Sequence, residues 1–104
     1  MFETPRSEPP REKSGPLFSI GDLVATPGAI AAIKRAGESS LRLVGRHSVG
    51  DWGDLDPEDR TANDEALHTG GRLLSAYRLA NDEKVWVITE WDRSATTLLL
   101  PSEY

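Results

Sequence analysis

The sequence predicts an α+β domain: two or three helices in the first part of the chain, packed on a three- to four-stranded antiparallel meander in the second. Three observations carry this. Helix punctuation, with a hydroxyl or Asp cap, a first-turn Pro and a closing Gly, recurs up to Gly70. After Gly71 the apolar period changes to two. The strand-like runs there are joined by connections so short that consecutive strands become antiparallel neighbours.

Residues 1–16, "MFETPRSEPPREKSGP", are expected to be a disordered tail, because a segment so rich in proline and charge buries too little apolar surface to offset chain entropy. Residues 17–104 are then one domain. "LFSIGDLVAT" (17–26) reads as an edge strand or extended lead-in. "TPGAIAAIKRAG" (26–37) reads as a helix with Thr26 as N-cap, Pro27 in the first turn and Gly37 at the end, its apolar face made by Ala29, Ile30 and Ile33. A second helix is expected in 39–50, capped by Ser39 or Ser40 and ended by Gly50, with Leu41, Val44 and His47 on one face. A third occupies 56–71: Asp56 caps it, Pro57 follows, Glu58 and Asp59 load the positive end of the dipole, and Gly70 terminates it. Its apolar side is thin (Ala62, Ala66, Leu67), which places it on the surface. "RLLSAYRL" (72–79), "KVWVITE" (84–90) and "ATTLLL" (95–100) are strands, with "ANDE" and "WDRS" as turns.

Composition excludes several functions. The chain has 104 residues and no cysteine, so disulfides, thiolate nucleophiles and cysteine metal sites are absent. A net charge of −5 opposes non-specific binding to a phosphate backbone. No apolar run is long enough for a membrane span, and a cytoplasmic protein without membrane contact is the expectation. No cofactor motif is present and no cofactor is expected.

The densest chemistry lies in "HSVGDWGDLDPEDRTANDE" (47–65). Its carboxylates are Asp51, Asp54, Asp56, Glu58, Asp59, Asp64 and Glu65, against Arg60 alone. Asp54, Asp56, Glu58 and Glu65 match calcium-loop positions 1, 3, 5 and 12, but Asp59 stands where that loop needs Gly and Pro57 interrupts it. A helix start explains the run better. His47 is a satisfied residue on a helix face, or a general acid or base oriented by Asp51 or Asp54. With His68 far off in sequence it makes a poor metal site. Trp52 is a loop aromatic folded on the core, or a stacking platform. Arg93, beside Ser94, Thr96 and Thr97, has the company of an anion grip. Thr96 and Thr97 face opposite sides of their strand. Arg72 and Arg78 share a strand face and, with Arg93, suggest a local cationic patch.

"LFSIGDLVATPGA", "RHSVGDWGDLDPEDRTANDEAL", "GGRLLSAYRL" and "VWVITEWDRSATTLLLPSEY" closely resemble a family of small proteins of plasmids and integrated elements. Members are labelled plasmid-related or hypothetical, some type I restriction endonuclease subunit M, a label that cannot describe a chain too short for a methyltransferase domain. The resemblance covers residues 17–104 and implies a bacterial cytoplasm and a mobile element, with no particular activity. A looser similarity, of fold alone, links helices followed by a meander to the barnase, colicin and RelE-like metal-independent ribonucleases.

Three functional readings follow. The first is a small acidic accessory protein that binds a host or element protein with a basic surface, acting as an inhibitor of a nucleic-acid-binding machine. Asp51, Trp52, Asp54, Asp59, Asp64, Glu65 and Arg78 would contribute to binding. The alternative is an RNA-cleaving or RNA-binding domain in which His47, Tyr77, Arg93 and Thr96 supply base, acid and cation. A pocket for a small anionic ligand is a third.

Overall fold

A computed structural model of the protein describes residues 15–104; the expected disorder of the tail falls, up to residue 14, outside the described residues. The elements are β1 (Asp22–Ala25), α1 (Pro27–Arg35), α2 (Ser40–Ser48), α3 (Pro57–Thr69), β2 (Leu73–Arg78), β3 (Lys84–Thr89) and β4 (Ala95–Leu99), followed by a 3-10 turn at Pro101–Glu103. The fold is α+β. The sheet runs β1-β4-β3-β2, and β2, β3 and β4 form the antiparallel meander.

One pairing departs from the expected antiparallel sheet. The lead-in strand β1 lies parallel to β4, with Leu23 beside Thr96 and Ala25 beside Leu98. The helices carry the chain across to the far edge at β2, and the meander then returns to β4 running in the direction of β1. Gly21 makes the approach feasible. It holds φ +67°, and a Cβ there would collide with the carbonyls of Arg93 and Ser94.

Two helix faces also differ in phase from the expectation. In α1 the buried residues are Ala29, Ala32 and Ile33, whereas Ile30 is 51% exposed. Ala29, Ala32 and Ile33 form the inner stripe, and Ile30, about 100° around the helix from Ala29, falls outside it. In α2 Leu43, Val44, His47 and Ser48 are buried and Leu41 is 72% exposed. Steps of three drift around a 3.6-residue helix, so Leu41 falls off the face that Val44 and His47 share, while 43, 44, 47 and 48 stay in line. The caps follow the sequence at α1 and α2, where Thr26 Oγ1 accepts from the Ala29 amide and Ser39 Oγ from the Arg42 amide. Asp56 occupies the N-cap of α3 in extended conformation but makes no side-chain cap bond. Ala62, expected on the apolar side of α3, is exposed, and Asn63 is buried in its place.

The buried face of the sheet carries Leu73, Ser75 and Tyr77 of β2, Val85, Val87 and Thr89 of β3, and Thr96 and Leu98 of β4. Ala29, Ala32, Ile33, Leu43 and Val44 from α1 and α2 pack against it. Leu74 and Ala76 lie on the opposite face. The outer edge of β2 is closed by two devices. Asn63 reaches from α3 to donate to the Leu74 carbonyl (2.7 Å) and accept from its amide (3.1 Å), as a neighbouring strand would. Beside it, Gly53 forms an isolated parallel bridge to Ala76. The Asp54 amide donates to the Ala76 carbonyl, and the Ala76 amide to the Trp52 carbonyl. An edge so covered offers no free row of backbone groups.

Candidate functional site

His47 is fully buried, delivered by α2 onto the helix-facing side of the sheet. Its Nδ1 is 2.6 Å from Ser75 Oγ on β2 and its Nε2 is 2.9 Å from Thr89 Oγ1 on β3. Thr89 Oγ1 is 2.7 Å from Thr96 Oγ1 on β4, and Thr96 Oγ1 donates to the Ile20 carbonyl at 2.7 Å. That last bond orders the whole chain. A hydroxyl has one proton; Thr96 gives its own to a carbonyl and must accept from Thr89. Thr89 must then accept from His47 Nε2–H, leaving Nδ1 to accept from Ser75. One neutral tautomer satisfies every member. A proton added at Nδ1 would set two donors against each other unless Ser75 turned away. Burial, reinforced by the charge of Arg93, holds His47 down to about 4, well below the ordinary imidazole value.

Neither Asp51 nor Asp54 orients the ring, contrary to the sequence expectation. Asp51 pairs with Arg46 at 2.6 Å, and that hydrogen bond keeps its carboxyl below the usual range. Asp54 lies 3.8 Å from Arg78, whose guanidinium is also 4.0 Å from Asp82. The ring of His47 is enclosed instead by Phe18 and Trp52, both edge-on, with centroids 5.2 and 5.7 Å away. Trp52 is buried and donates its indole N–H to Asp64 Oδ1 at 3.2 Å. Tyr77 lies under the Arg46 guanidinium and donates its hydroxyl to the Asp51 carbonyl at 2.6 Å; burial pushes it up to about 12.

Arg93 sits at the β3–β4 hairpin tip with φ +61°, a left-handed conformation that side chains other than glycine adopt sparingly. Its guanidinium donates to the carbonyls of Gly71 (2.6 Å), Glu90 (3.1 Å) and Ala66 (3.1 Å). Ala66 lies in the last turn of α3 and Gly71 just past its end; the Ala66 carbonyl already accepts from the Gly70 and Gly71 amides, and the dipole there favours an added cation. Arg93 thus caps α3 across the tertiary fold. Arg72 lies over Tyr104. It is about 20 Å along β2 from Arg78, from six residue steps. Structure brings His47 together with Thr96 through Thr89, but Tyr77 and Arg93 point their polar ends at backbone carbonyls. Among the described residues no pocket opens onto these groups. Among the described residues no three His, Asp or Glu side chains converge to hold an ion.

The acidic run takes the opposite form. Asp56, Glu58, Asp59, Asp64 and Glu65 are all exposed. Arg60, the cation on the same helix, turns back to donate to the carbonyls of Leu55 and Gly53 at 3.1 Å each. Among the described residues, no Lys or Arg stands within ion-pair distance of these five carboxylates. Sequence reading missed Ser75, Thr89 and Asn63. Ser75 and Thr89 stand at strand positions that alternate with Leu and Val, where a buried hydroxyl needs a partner. Asn63 lies three residues before Ala66 on the inner stripe of α3.

No known protein family, no curated protein and no solved structure matches this chain.

Proposed function

We propose that this is a small acidic accessory protein of a plasmid or other mobile element, and that it binds a host or element protein through a basic surface on that partner. A nucleic-acid-binding machine is the kind of target that offers such a surface, and occupying it would inhibit the machine. The carrying observation is the face of α3. Apart from Asp64, which accepts from the Trp52 indole, its carboxylates stay in water without a cation beside them, and its own arginine is withdrawn into backbone contacts. Exposed like charges cost some self-repulsion and contribute nothing to packing, so their use lies in steering and selecting an opposite charge. The mobile-element setting rests on the resemblance of residues 17–104 to the plasmid-related family.

The test is to locate binding on the molecule. Isotope-labelled protein is titrated with a nona-lysine peptide and, separately, with a short single-stranded RNA, and amide shifts are followed by NMR. Shifts with the peptide clustered at residues 54–65, weakened by salt, are the expected result. Binding of the RNA with cleavage, or peptide shifts spread over the whole surface, would overturn the proposal.

A further inference from the structure

The β3–β4 hairpin tip presents Trp91, an indole 67% exposed to solvent. Exposed tryptophans are uncommon, and this one sits on an unusually well-fixed turn. The Arg93 amide closes the turn on the Glu90 carbonyl at 2.9 Å, and the Ser94 amide donates to Asp92 Oδ1 at 3.0 Å. The Arg93 guanidinium then ties the tip to the Ala66 and Gly71 carbonyls at the end of α3. Four bonds from the Arg93 guanidinium to backbone carbonyls, one of them to that of Trp91, fix the turn that carries the indole before any partner arrives. A fixed turn leaves less backbone freedom to lose on contact, and tryptophan, with two side-chain torsions and a large face, is an effective interface anchor.

Its surroundings select the partner. Glu90 and Asp92 flank Trp91 in the turn, and Glu65 stands beside Ala66, whose carbonyl Arg93 holds. The positive charge of Arg93 is turned inward to carbonyls. Three other aromatic rings of the protein already lie under its own guanidinium groups: Tyr77 under Arg46, Tyr104 under Arg72 and Phe18 under Arg93. Indole is the best of the aromatic faces for a cation. A planar guanidinium stacks on it, whereas a compact, strongly hydrated ammonium does so less well.

We infer that Trp91, with Glu90 and Asp92 beside it, receives an arginine side chain of the basic partner, so that the protein prefers arginine-rich to lysine-rich segments of equal charge. This rests on the proposed binding of a basic protein, and it names the chemistry that the partner presents. The carboxylates supply attraction to any cation; the indole supplies the choice between the two.

Nona-arginine and nona-lysine peptides, titrated separately into the full chain by calorimetry at moderate salt, test it. Wild-type protein should bind nona-arginine about 3- to 30-fold more tightly, the range of one cation–π contact. Trp91→Ala should bring the two affinities together, and Trp91→Phe should keep part of the preference. An arginine preference that persists in Trp91→Ala overturns the inference. Equal binding of both peptides by the wild type also overturns it, yet leaves the basic-partner reading standing. Binding of neither peptide removes both.

Discussion

The interior around His47 and the outer face of α3 each gather a set of polar side chains, and they are used in opposite ways. Inside, Ser75, His47, Thr89 and Thr96 are each satisfied by the next, and the series ends on the Ile20 carbonyl with no proton to spare. Outside, Glu58, Asp59, Asp64 and Glu65 keep their charge in solvent. Residue types associated with catalysis thus join α2 to three strands, and residue types associated with solubility form the surface that a partner would meet. A histidine near hydroxyls is therefore no sign of acid–base chemistry until its access to water is known. The low value held by His47 and its enclosure by Phe18 and Trp52 both make it a structural donor and acceptor.

Removing the interior partner should have the largest effect. His47→Ala leaves a cavity and strands the hydroxyls of Ser75 and Thr89, and should cost about 4 kcal/mol in urea unfolding, from the combined scales of cavity formation and unsatisfied buried polar groups. A cost below about 1 kcal/mol would show that the network contributes little. Acid should break the same region from within. The unfolded chain takes a proton on His47 near its ordinary value, whereas the folded chain resists until about 4. Stability is therefore full above pH 6.5, falls as pH drops from 6.5 to 4, and is flat below that as far as His47 is concerned. The loss by pH 4 is on the order of 3 kcal/mol. Unfolding midpoints measured across this window should lose that slope in His47→Gln.

Much of this architecture was legible in the sequence. The strands after Gly71 announce themselves because alternation survives when one sheet face is buried, and Thr26, Ser39 and Gly70 mark helix ends because capping is local chemistry. The pairing of β1 with β4 was not legible, since it joins residues more than seventy positions apart and leaves no local period. The inner network was half visible. His47 and Thr96 stood out by residue type, but their link through Thr89 depends on strand register. Arg93 looked like an anion grip because its neighbours are hydroxyls; its partners are backbone carbonyls, and those of Ala66 and Gly71 at the end of α3 are brought near only by the tertiary fold.

Arg93 joins the two regions, tying the hairpin to the end of the acidic helix. Arg93→Ala should cost about 2 kcal/mol, the scale of hydrogen bonds to a charged group. It should also loosen residues 66–71 in amide exchange before the rest of the sheet. Unchanged protection there would contradict the clasp. On the outer face stability should hardly respond. Asp59→Lys with Glu65→Lys should shift the unfolding free energy by less than about 1 kcal/mol. The same change should weaken nona-lysine binding at low salt and flatten its salt dependence. Asp64 is left in place in that variant because it accepts from Trp52. Smallest of all, Asp56→Ala should change stability by no more than about 0.5 kcal/mol, below the usual loss of an N-cap, since Asp56 makes no side-chain cap bond.

The protonation of His47 in the folded protein separates a sealed structural residue from a working acid or base. Ring nitrogen shifts, recorded by NMR from pH 8 to pH 4, read it directly. Sealing within the hydroxyl series predicts the neutral Nε2–H form throughout most of that range, with Nδ1 accepting and no titration until about pH 4. A reversible titration near 6.5 with the fold intact, or a resting Nδ1–H form, would contradict it and return His47 to the candidates for catalysis.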